Sequence, residues 1–359
     1  MIVKNFFTAN RANEHKLFIL KRLFTHLVFI FIAINIFFFF SSCAKNETSR
    51  IELALGTVCT ITLFDNGNDN IYNEIFSRIH EIENLMSVNI PTSDVSRVNA
   101  AAGIAPVQVH EDVFKVIERA AYFAEISGGA FDPTVGPLVS LWGIGGENPR
   151  VPSIEEIYAV LPLVNFRFMQ LDAETRSVFL IQQGMALDLG AIAKGYAADE
   201  AAKIARNAKV KQAKIDLGGN IVLVGMKIDK SPWRVGIQSP GNIHGTIAGL
   251  LQVTEKTIVT SGIYERQFEE NGKSYHHIFD PSTGYPAEKN LASVTLITDI
   301  SMDADALSTA VFVLGYNAGI KLLESFPGTE AVFVFEDKSI RTTAGANFSI
   351  TDRAYTIVN

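Results

Sequence analysis

The 359-residue chain has few of the residues that crosslink proteins or bind zinc. It contains two cysteines, Cys43 and Cys59, and its seven histidines form no zinc-ligand set with them. If Cys43 carried a lipid, Cys59 would stand alone and no intrachain disulfide could form. The fold must then be stabilised by its hydrophobic core, and the roughly 315 residues that follow the leader are enough to build a large one.

The chain also lacks a basic excess, fixed-period repeats, heptads and low-complexity linkers. Residues 1–42 hold five Lys or Arg and one Glu, so they carry +4, the whole chain carries −7, and the remainder carries −11. An acidic body of this kind offers no electrostatic footprint for nucleic acid. We therefore expect no nucleic-acid partner, and residues 51–359 are expected to form one domain, either undivided or as two intimately joined halves.

The first 42 residues have the order of an export signal. Basic residues precede an almost wholly apolar stretch, 23–40, and two serines then precede Cys43. Small residues before a cysteine are typical of a lipoprotein cleavage site. We therefore predict cleavage before Cys43, lipidation of that cysteine, and a polar tether over 43–50. An uncleaved transmembrane anchor is the alternative, because about 18 apolar residues nearly span a bilayer.

Hydrophobic periodicity predicts an α+β fold with largely antiparallel sheets. The predicted strands cluster along the chain and do not alternate strictly with helices, which favours antiparallel pairing. The predicted helices cover residues 71–85, 111–126, 192–208, 304–313 and 318–325. The predicted strands cover residues 51–64, 178–181, 212–215, 221–224, 233–237, 247–251, 293–297 and 331–335.

Five short segments combine glycine with Asp, Thr, Lys or His, and the first is 127–134. Two glycines there precede Phe131 and Asp132. Glycines let a backbone approach a flat ligand closely, and Phe131 would cover a ring. A helix C-cap followed by an Asp-Pro turn explains the same residues without a ligand.

The second segment, 188–196, contains Asp188 and places Lys194 on the first turns of a predicted helix. Backbone amides at a helix N-terminus, together with a lysine, form a phosphate cradle. The segment is not a Walker A loop, because the Gly spacing and the Lys-Ser/Thr pair are absent. A solvated lysine on an ordinary helix is the alternative.

The next two segments have strong structural explanations. Residues 216–220 contain Gly-Gly-Asn, which is good hairpin chemistry. The fourth segment joins Thr260 to a stretch with adjacent His276 and His277. Neighbouring side chains on extended backbone point to opposite faces, so at most one of the two histidines faces a site.

The fifth segment places Asp305 and Thr309 four residues apart on a predicted helix, and therefore on one face. Mg²⁺ prefers a carboxylate or two together with waters and substrate phosphates, so this pair suits a Mg–diphosphate site. The alternative is that Asp303 or Asp305 is only the N-cap of the helix.

In this order, the five segments resemble the ApbE family of FAD:protein FMN transferases, from Leu55 to the end of the Asp305 helix. The resemblance implies an ApbE-like (T-fold-like) α+β fold and binding of FAD as substrate. By position, it implies the following FAD contacts: Leu55, Asn89, Ala130, Phe131, Asp132, Asp188, Lys194, Thr260 and Ile278.

The resemblance also implies a metal site and a mechanism. Mg²⁺ would be held by the Ala191 carbonyl and the side chains of Asp305 and Thr309, with Ser308 adjacent. His277 would act as the base, Asp305 would act by binding the metal, and Lys194 would stabilise the leaving phosphate. Members attach FMN through a phosphoester bond to Thr or Ser of exported redox proteins, often membrane complexes. A lipid-anchored location on the periplasmic side of the inner membrane follows.

Two positions depart from the family pattern. Many transferases have an aromatic residue, usually Tyr, where this chain has Asn89, and members with Asn resemble a dual-activity type that also hydrolyses FAD to FMN and AMP. Leu55 replaces the usual Met, a conservative packing change. A non-catalytic FAD-scavenging lipoprotein and a thiamine-related periplasmic protein are the competing interpretations, although nothing in these residues favours thiamine over flavin.

Overall fold

The structure, a computed structural model, describes residues 48–241 and 245–358. The predicted signal segment 1–42, the lipidation site Cys43 and most of the 43–50 tether lie outside the described residues. The end of the tether does not, because strand β1 (Thr48–Ala54) already includes residues 48–50. That part of the tether prediction is wrong, since these residues pair with the next strand.

Within the described residues, the remaining strands follow in chain order. They are β2 Thr57–Leu63, β3 Val107–Gln108, β4 Met169–Asp172, β5 Ser177–Leu180, β6 Ala213–Leu217, β7 Asn220–Val224, β8 Trp233–Gln238, β9 Ile247–Val253, β10 Thr257–Gly262, β11 Gln267–Glu270, β12 Lys273–His276, β13 Leu291–Thr298, β14 Glu330–Phe335, β15 Ser339–Thr342, β16 Phe348–Ile350 and β17 Thr356–Ile357. The α-helices are α1 Asp69–Met86, α2 Asp94–Ala100, α3 Glu111–Ile126, α4 Gly136–Trp142, α5 Ile154–Val160, α6 Ala193–Asn207 and α7 Ser301–Leu323.

Nine of the strands form a central sheet in the order β1-β2-β6-β7-β10-β13-β14-β15-β17. Between these strands, all ladders are antiparallel except the last, which joins β15 to β17 in parallel. Three small sheets, β11-β12, β16-β9-β8 and β3-β5-β4, complete the described part. The expected α+β class with largely antiparallel sheets is confirmed.

Hydrophobic cores lie on both faces of the central sheet. On one face, alternate residues of β2 and β6, such as Ile61 and Ile215, pack with α1, α6 and α7 in the larger core. On the other face, Leu223 and Val332 pack beneath the β16-β9-β8 sheet around Trp233. The sheet is thus buried on both sides over most of its width, which fixes the strand ends that reach the site.

The predicted strand 51–64 differs from the structure: it is two strands, because Leu55 (φ 54°) and Gly56 (φ 68°) form a tight turn that pairs β1 with β2. The two helices predicted over 304–313 and 318–325 are confirmed as separate helical stretches, because the backbone of α7 is non-helical at Gly315 (φ 76°, ψ 175°). Among the described helices, α7 alone is long and apolar enough to span a membrane, but 56% of its most apolar window is buried in the protein.

Candidate active site

A cavity of about 530 Å³ lies where several strand ends meet the first turns of α6 and α7. Its size is typical of a small-molecule site. Apart from Ser308, all of the site residues predicted within the described chain line it: Leu55, Asn89, Ala130, Phe131, Asp132, Asp188, Ala191, Lys194, Thr260, His277, Ile278, Asp305 and Thr309. Residues 55 and 309, far apart in sequence, are therefore brought to one cavity.

Tight turns bring the strand ends together at the cavity. The Leu55–Gly56 turn lies beside the β6–β7 turn, where Gly218 has φ 60°. A Cβ on Gly218 would lie 2.1 Å from the Thr57 hydroxyl oxygen, so only glycine allows the two turns to approach this closely. The predicted Gly-Gly-Asn hairpin is therefore confirmed, and it also forms part of the cavity wall.

Lys194 and Asp305 meet at the crossing of α6 and α7. The Lys194 Nζ atom lies 3.6 Å from Asp305 Oδ1 and donates a hydrogen bond to the Gly190 carbonyl at 2.9 Å. The backbone N–H of Gly195 donates to Asp305 Oδ2 at 2.9 Å. The crossing is close because Gly195 has no side chain: its Cβ would lie 2.2 Å from the Ser301 carbonyl oxygen.

The first turn of α7 is held by charged side chains from two other helices. The Asp199 carboxylate on α6 accepts the N–H groups of Ser301 and Met302, both at 2.9 Å, and caps the helix. Burial raises the pKa of Asp199 to about 6. Arg119 donates two hydrogen bonds to Asp303, at 2.6 and 2.7 Å. The alternative that Asp303 or Asp305 caps its own helix is wrong.

The oxygen donors around Asp305 fit a hard divalent cation. The Asp305 carboxylate is 6% exposed, and Thr309, one turn further along α7, lines the cavity beside it with Ala191. Carboxylate, hydroxyl and carbonyl oxygens are the donors that Mg²⁺ takes, with substrate phosphates supplying the rest. Within the described chain, no group of three or more His, Cys, Asp or Glu side chains converges as an alternative metal cluster.

Ser308 lies behind the cavity wall. It is fully buried, and its hydroxyl hydrogen-bonds to the Ser261 hydroxyl at 2.8 Å and donates to the Asp305 carbonyl at 3.0 Å. The Ser261 hydroxyl also lies 3.4 Å from that of Thr309. In this arrangement Ser308 braces β10 against α7 beneath the proposed metal ligands.

The prediction that backbone amides at the start of α6 form a phosphate cradle is wrong in part. The N–H groups of Ile192 and Ala193 donate to the Leu189 carbonyl at 3.0 and 2.8 Å, and that of Gly195 donates to Asp305. The amide of Gly190 donates to the Asp188 carboxylate at 2.7 Å. Because these amides already have acceptors, α6 offers the cavity mainly the side chain of Lys194.

His277 faces the cavity as a neutral imidazole. Its Nδ1 lies 3.2 Å from the Arg266 carbonyl oxygen, which only accepts hydrogen bonds, so Nδ1 carries the proton and Nε2 keeps a lone pair. Burial, reinforced by the charges of Arg266 and Lys194, lowers the pKa of His277 to about 3. His276 lies on the opposite face, buried against the Ala287 carbonyl, which confirms that only one of the pair faces the site.

Asp280, three residues after His277, makes a turn. Its Oδ1 accepts the N–H and the hydroxyl of Ser282, and its backbone N–H donates to the Tyr285 carbonyl at 2.8 Å. The imidazole of His277 is oriented by the Arg266 backbone.

The 127–134 segment is both a structural turn and a cavity wall. Ser127 caps α3, and its hydroxyl accepts the Phe131 N–H at 3.1 Å. Both Asp132 oxygens accept hydrogen bonds, one from Thr134 and the other from the Phe166 N–H at 2.9 Å. Desolvation by burial raises the pKa of Asp132. The Asp-Pro turn explanation is confirmed, and the turn orients this wall.

Three of the cavity residues to which the sequence assigned no role hold other parts of the site in place. Glu83 on α1 accepts the Leu55 N–H at 2.7 Å and fixes the β1–β2 turn. Arg266 brings a guanidinium to the cavity, 3.4 Å from the Gly56 carbonyl oxygen. Ser261 supports α7. Each acts through a residue distant in sequence, so no local spacing could reveal it.

The sequence is similar to those of known proteins of one family. The sequence model of the ApbE family matches residues 55–333. The chain is 40% identical to the FAD:protein FMN transferase of Treponema pallidum over 316 residues, which cover 83% of this chain and 87% of that one. It is 37% identical to an FAD:protein FMN transferase of Klebsiella pneumoniae, with 87% and 97% covered.

Solved structures of similar proteins share the fold. The ApbE protein of Thermotoga maritima superposes with a TM-score of 0.75 at 34% identity, covering 86% of this chain and 97% of that one. The flavin transferase ApbE of Vibrio cholerae superposes with a TM-score of 0.72 at 26% identity, covering 85% and 96%.

Proposed function

This chain belongs to the ApbE family, and on that premise we propose that it is an FAD:protein FMN transferase. In the proposed reaction, a Thr or Ser hydroxyl of an acceptor protein attacks the FMN-side phosphorus of FAD. A phosphoester bond to FMN forms, the diphosphate anhydride bond breaks, and AMP leaves. The high identity to curated transferases over most of the chain supports this assignment.

The observation that carries the proposal is the meeting of Lys194 and Asp305 at 3.6 Å in one cavity. A cation and a buried carboxylate there suit a diphosphate and its metal. In phosphoryl transfer the protein mainly positions groups and neutralises charge. Lys194 therefore stabilises the leaving phosphate, and Asp305, Thr309 and the Ala191 carbonyl would hold Mg²⁺.

Mg²⁺, when bound, neutralises charge on the phosphates and makes the phosphorus easier to attack. The neutral His277 accepts the proton of the incoming hydroxyl at Nε2, while its Nδ1–H remains on the Arg266 carbonyl. Phe131 and Ile278 form buried apolar walls of the cavity that suit the flavin or adenine ring. In this proposal FAD is the substrate, and Mg²⁺ would be the metal cofactor.

The proposal extends to location and partners. The predicted signal segment and Cys43 favour an exported enzyme held by lipid on the periplasmic side of the inner membrane. Its acceptors are then exported flavoproteins of membrane redox complexes. Localising the full chain by membrane fractionation, with a Cys43→Ser variant expected in the soluble fraction after export, tests this part.

Hydrolysis of FAD to FMN and AMP is a second activity that the cavity favours. Asn89 is an exposed residue of the cavity wall, where the resemblance implies that many transferases have an aromatic ring. Without a stacking platform, intact FAD is held less firmly, and water can use the same apparatus as a hydroxyl.

The purified protein, incubated with FAD, Mg²⁺ and a candidate acceptor, is expected to give a covalently fluorescent acceptor on a denaturing gel and to release AMP. Asp305→Ala should abolish both, because it removes the only carboxylate proposed to bind the metal. Glu118→Ala, which removes an exposed carboxylate from α3, is the matched control and should be fully active. A stable yellow protein that releases no AMP would instead identify an FAD-scavenging lipoprotein.

A further inference from the structure

The described chain begins at the end of the sheet opposite the cavity. Thr48, the first residue of β1, pairs with Leu63, and Leu63 pairs with Ala213 at the start of β6. The other end of β1 runs into the Leu55–Gly56 turn, which lines the cavity. Because β1 has seven residues, the two ends lie about 20 Å apart.

Basic side chains are concentrated at the end of the sheet where β1 begins, opposite the cavity. The chain around Lys209 and Lys211 is tied to the end of β2: the Asp65 carboxylate accepts the Lys211 N–H at 2.9 Å, and the Asn66 amide donates to the Lys209 carbonyl at 3.1 Å. Arg206 lies one turn earlier, at the end of α6. The β7–β8 loop adjoins them, since a Cβ on Gly225 would lie 1.9 Å from the Lys211 carbonyl oxygen.

We name this surface the tether-end patch; it consists of Arg206, Lys209, Lys211, Met226, Lys227, Ile228 and Lys230. A shallow groove of about 360 Å³ is lined by Arg206, Lys209 and Lys211 together with Glu255. Three carboxylates lie at the same surface: Glu255 is 3.8 Å from Arg206, Asp229 accepts hydrogen bonds from Ser231, and Asp65 accepts the Lys211 N–H. The five cations outnumber these carboxylates, on a body whose net charge is −11.

Apolar side chains project from the same surface. Ile228 is 81% exposed and Met226 is 44% exposed, and they alternate with Lys227 in the β7–β8 loop. Exposed apolar residues interleaved with lysines are the composition of segments that bind at a membrane interface, where the apolar groups enter the headgroup boundary and the lysines meet anionic lipids. An acidic protein partner would explain the lysines but not the exposed isoleucine.

We propose that the tether-end patch binds an anionic lipid surface. The position of Thr48 supports this occupant, because Cys43 precedes it by five residues and five residues span at most about 18 Å. The inference uses the proposed lipid anchor to say which surface is near, but it assigns binding to the protein surface itself. The cavity, at the other end of β1, then lies about 20 Å further from the membrane.

Binding is tested with the unit Glu47–Asn359, which is compact by its own contacts and lacks the anchor. It is expected to cosediment with vesicles of phosphatidylglycerol and phosphatidylcholine and to bind pure phosphatidylcholine at least tenfold more weakly. Binding should weaken further as salt is raised. Each basic residue near an anionic surface contributes roughly a fivefold gain in binding, so the double variant Lys209→Glu with Lys211→Glu should bind at least tenfold more weakly.

The double variant Lys321→Glu with Arg353→Glu is the matched control, since it makes the same charge change at exposed positions outside the patch. Ile228→Ser tests the apolar contribution without altering charge and should weaken binding to anionic vesicles. AMP release should be unchanged in all variants, which separates this inference from the proposed enzyme function. Equal binding to both vesicle types, equal losses in the two double variants, or no vesicle binding at all would overturn the proposal.

Discussion

At the scale of single residues, His277 illustrates how position determines chemistry. Its imidazole is kept neutral by burial and by the nearby charges of Arg266 and Lys194, and its tautomer is set by a backbone carbonyl. The neighbouring His276, with nearly the same sequence context, is sequestered in the core. The same residue type thus lines the cavity at one position and packs in the core at the next.

We expect His277→Gln to slow FMN transfer and AMP release by roughly 10²–10⁴-fold, because glutamine cannot accept the proton of the attacking hydroxyl. His110→Asn, which replaces an exposed histidine at the N-cap of α3 with another N-cap residue outside the cavity, is the control and should leave the rate unchanged. Single-turnover AMP release measures the effect. A rate within twofold of the unchanged protein would remove His277 from the role of base.

The same residue predicts a pH dependence of stability. The pKa of His277 is about 3 in the folded protein against an ordinary value near 6.5, so the unfolded chain binds the proton more tightly. This contribution to stability is therefore present above pH 6.5 and is lost as pH falls toward 3. Denaturant titrations at pH 7 and pH 5 should show a smaller loss in His277→Gln, and an equal loss in both proteins would contradict the assignment.

Asn89 tests the balance between transfer and hydrolysis. We expect Asn89→Tyr to hold FAD more firmly and to hydrolyse it more slowly, because a ring on the cavity wall stacks on FAD. Asn89→Leu adds bulk without a ring. It therefore distinguishes the effect of stacking on FAD from the effect of filling the cavity. FAD retention after gel filtration and AMP release without acceptor are the measurements. Unchanged values for both in Asn89→Tyr would refute this view of the cavity wall.

At the scale of elements, the crossing of α6 and α7 assembles the site. Neither helix carries the site alone: Lys194 comes from α6, and Asp305 and Thr309 come from α7. Asp199 and Arg119 fix the first turn of α7, and Gly195 sets how closely the helices approach. A small displacement at this crossing would separate Lys194 from the proposed metal ligands.

We therefore expect Gly195→Ala to lower stability by about 1–3 kcal/mol, because its Cβ would overlap the Ser301 carbonyl and force the helices apart. Mg²⁺ should also bind more weakly in the presence of FAD, since Asp305 would lose its hydrogen bond from the residue 195 amide. Gly146→Ala, whose Cβ would lie 3.2 Å from one carbonyl oxygen, is the control. Wild-type melting and Mg²⁺ affinity in Gly195→Ala would contradict this account.

At the scale of the whole molecule, we expect the chemistry to be independent of the predicted anchor. The unit Glu47–Asn359 contains the cavity and both cores described around the central sheet. Removal of residues 1–46 should therefore leave the melting temperature and the release of AMP unchanged. Calorimetry and an AMP assay on the shortened protein would decide, and a clear fall in either would show that the leader supports the body.

The amino-acid sequence by itself determined most of the local structure, that is, individual helices, strands and turns. Periodicity placed α3 and most strands of the central sheet correctly, since a strand or helix that buries one face must repeat its apolar residues at a fixed interval. Turn chemistry located the 127–134 and 216–220 turns. The resemblance supplied the candidate site residues, of which all but Ser308 within the described chain line the cavity.

The tertiary structure alone decided which pieces meet and what each group can do there. Residues 51–64 form two strands, because a left-handed turn divides them. The α6 amides that were expected to hold phosphate donate to protein acceptors instead, and Asp199 caps α7. The tertiary structure also brought Arg266, Glu83 and Ser261 to the cavity. These outcomes depend on contacts between residues tens to hundreds of positions apart, and only packing of the folded chain brings such residues together.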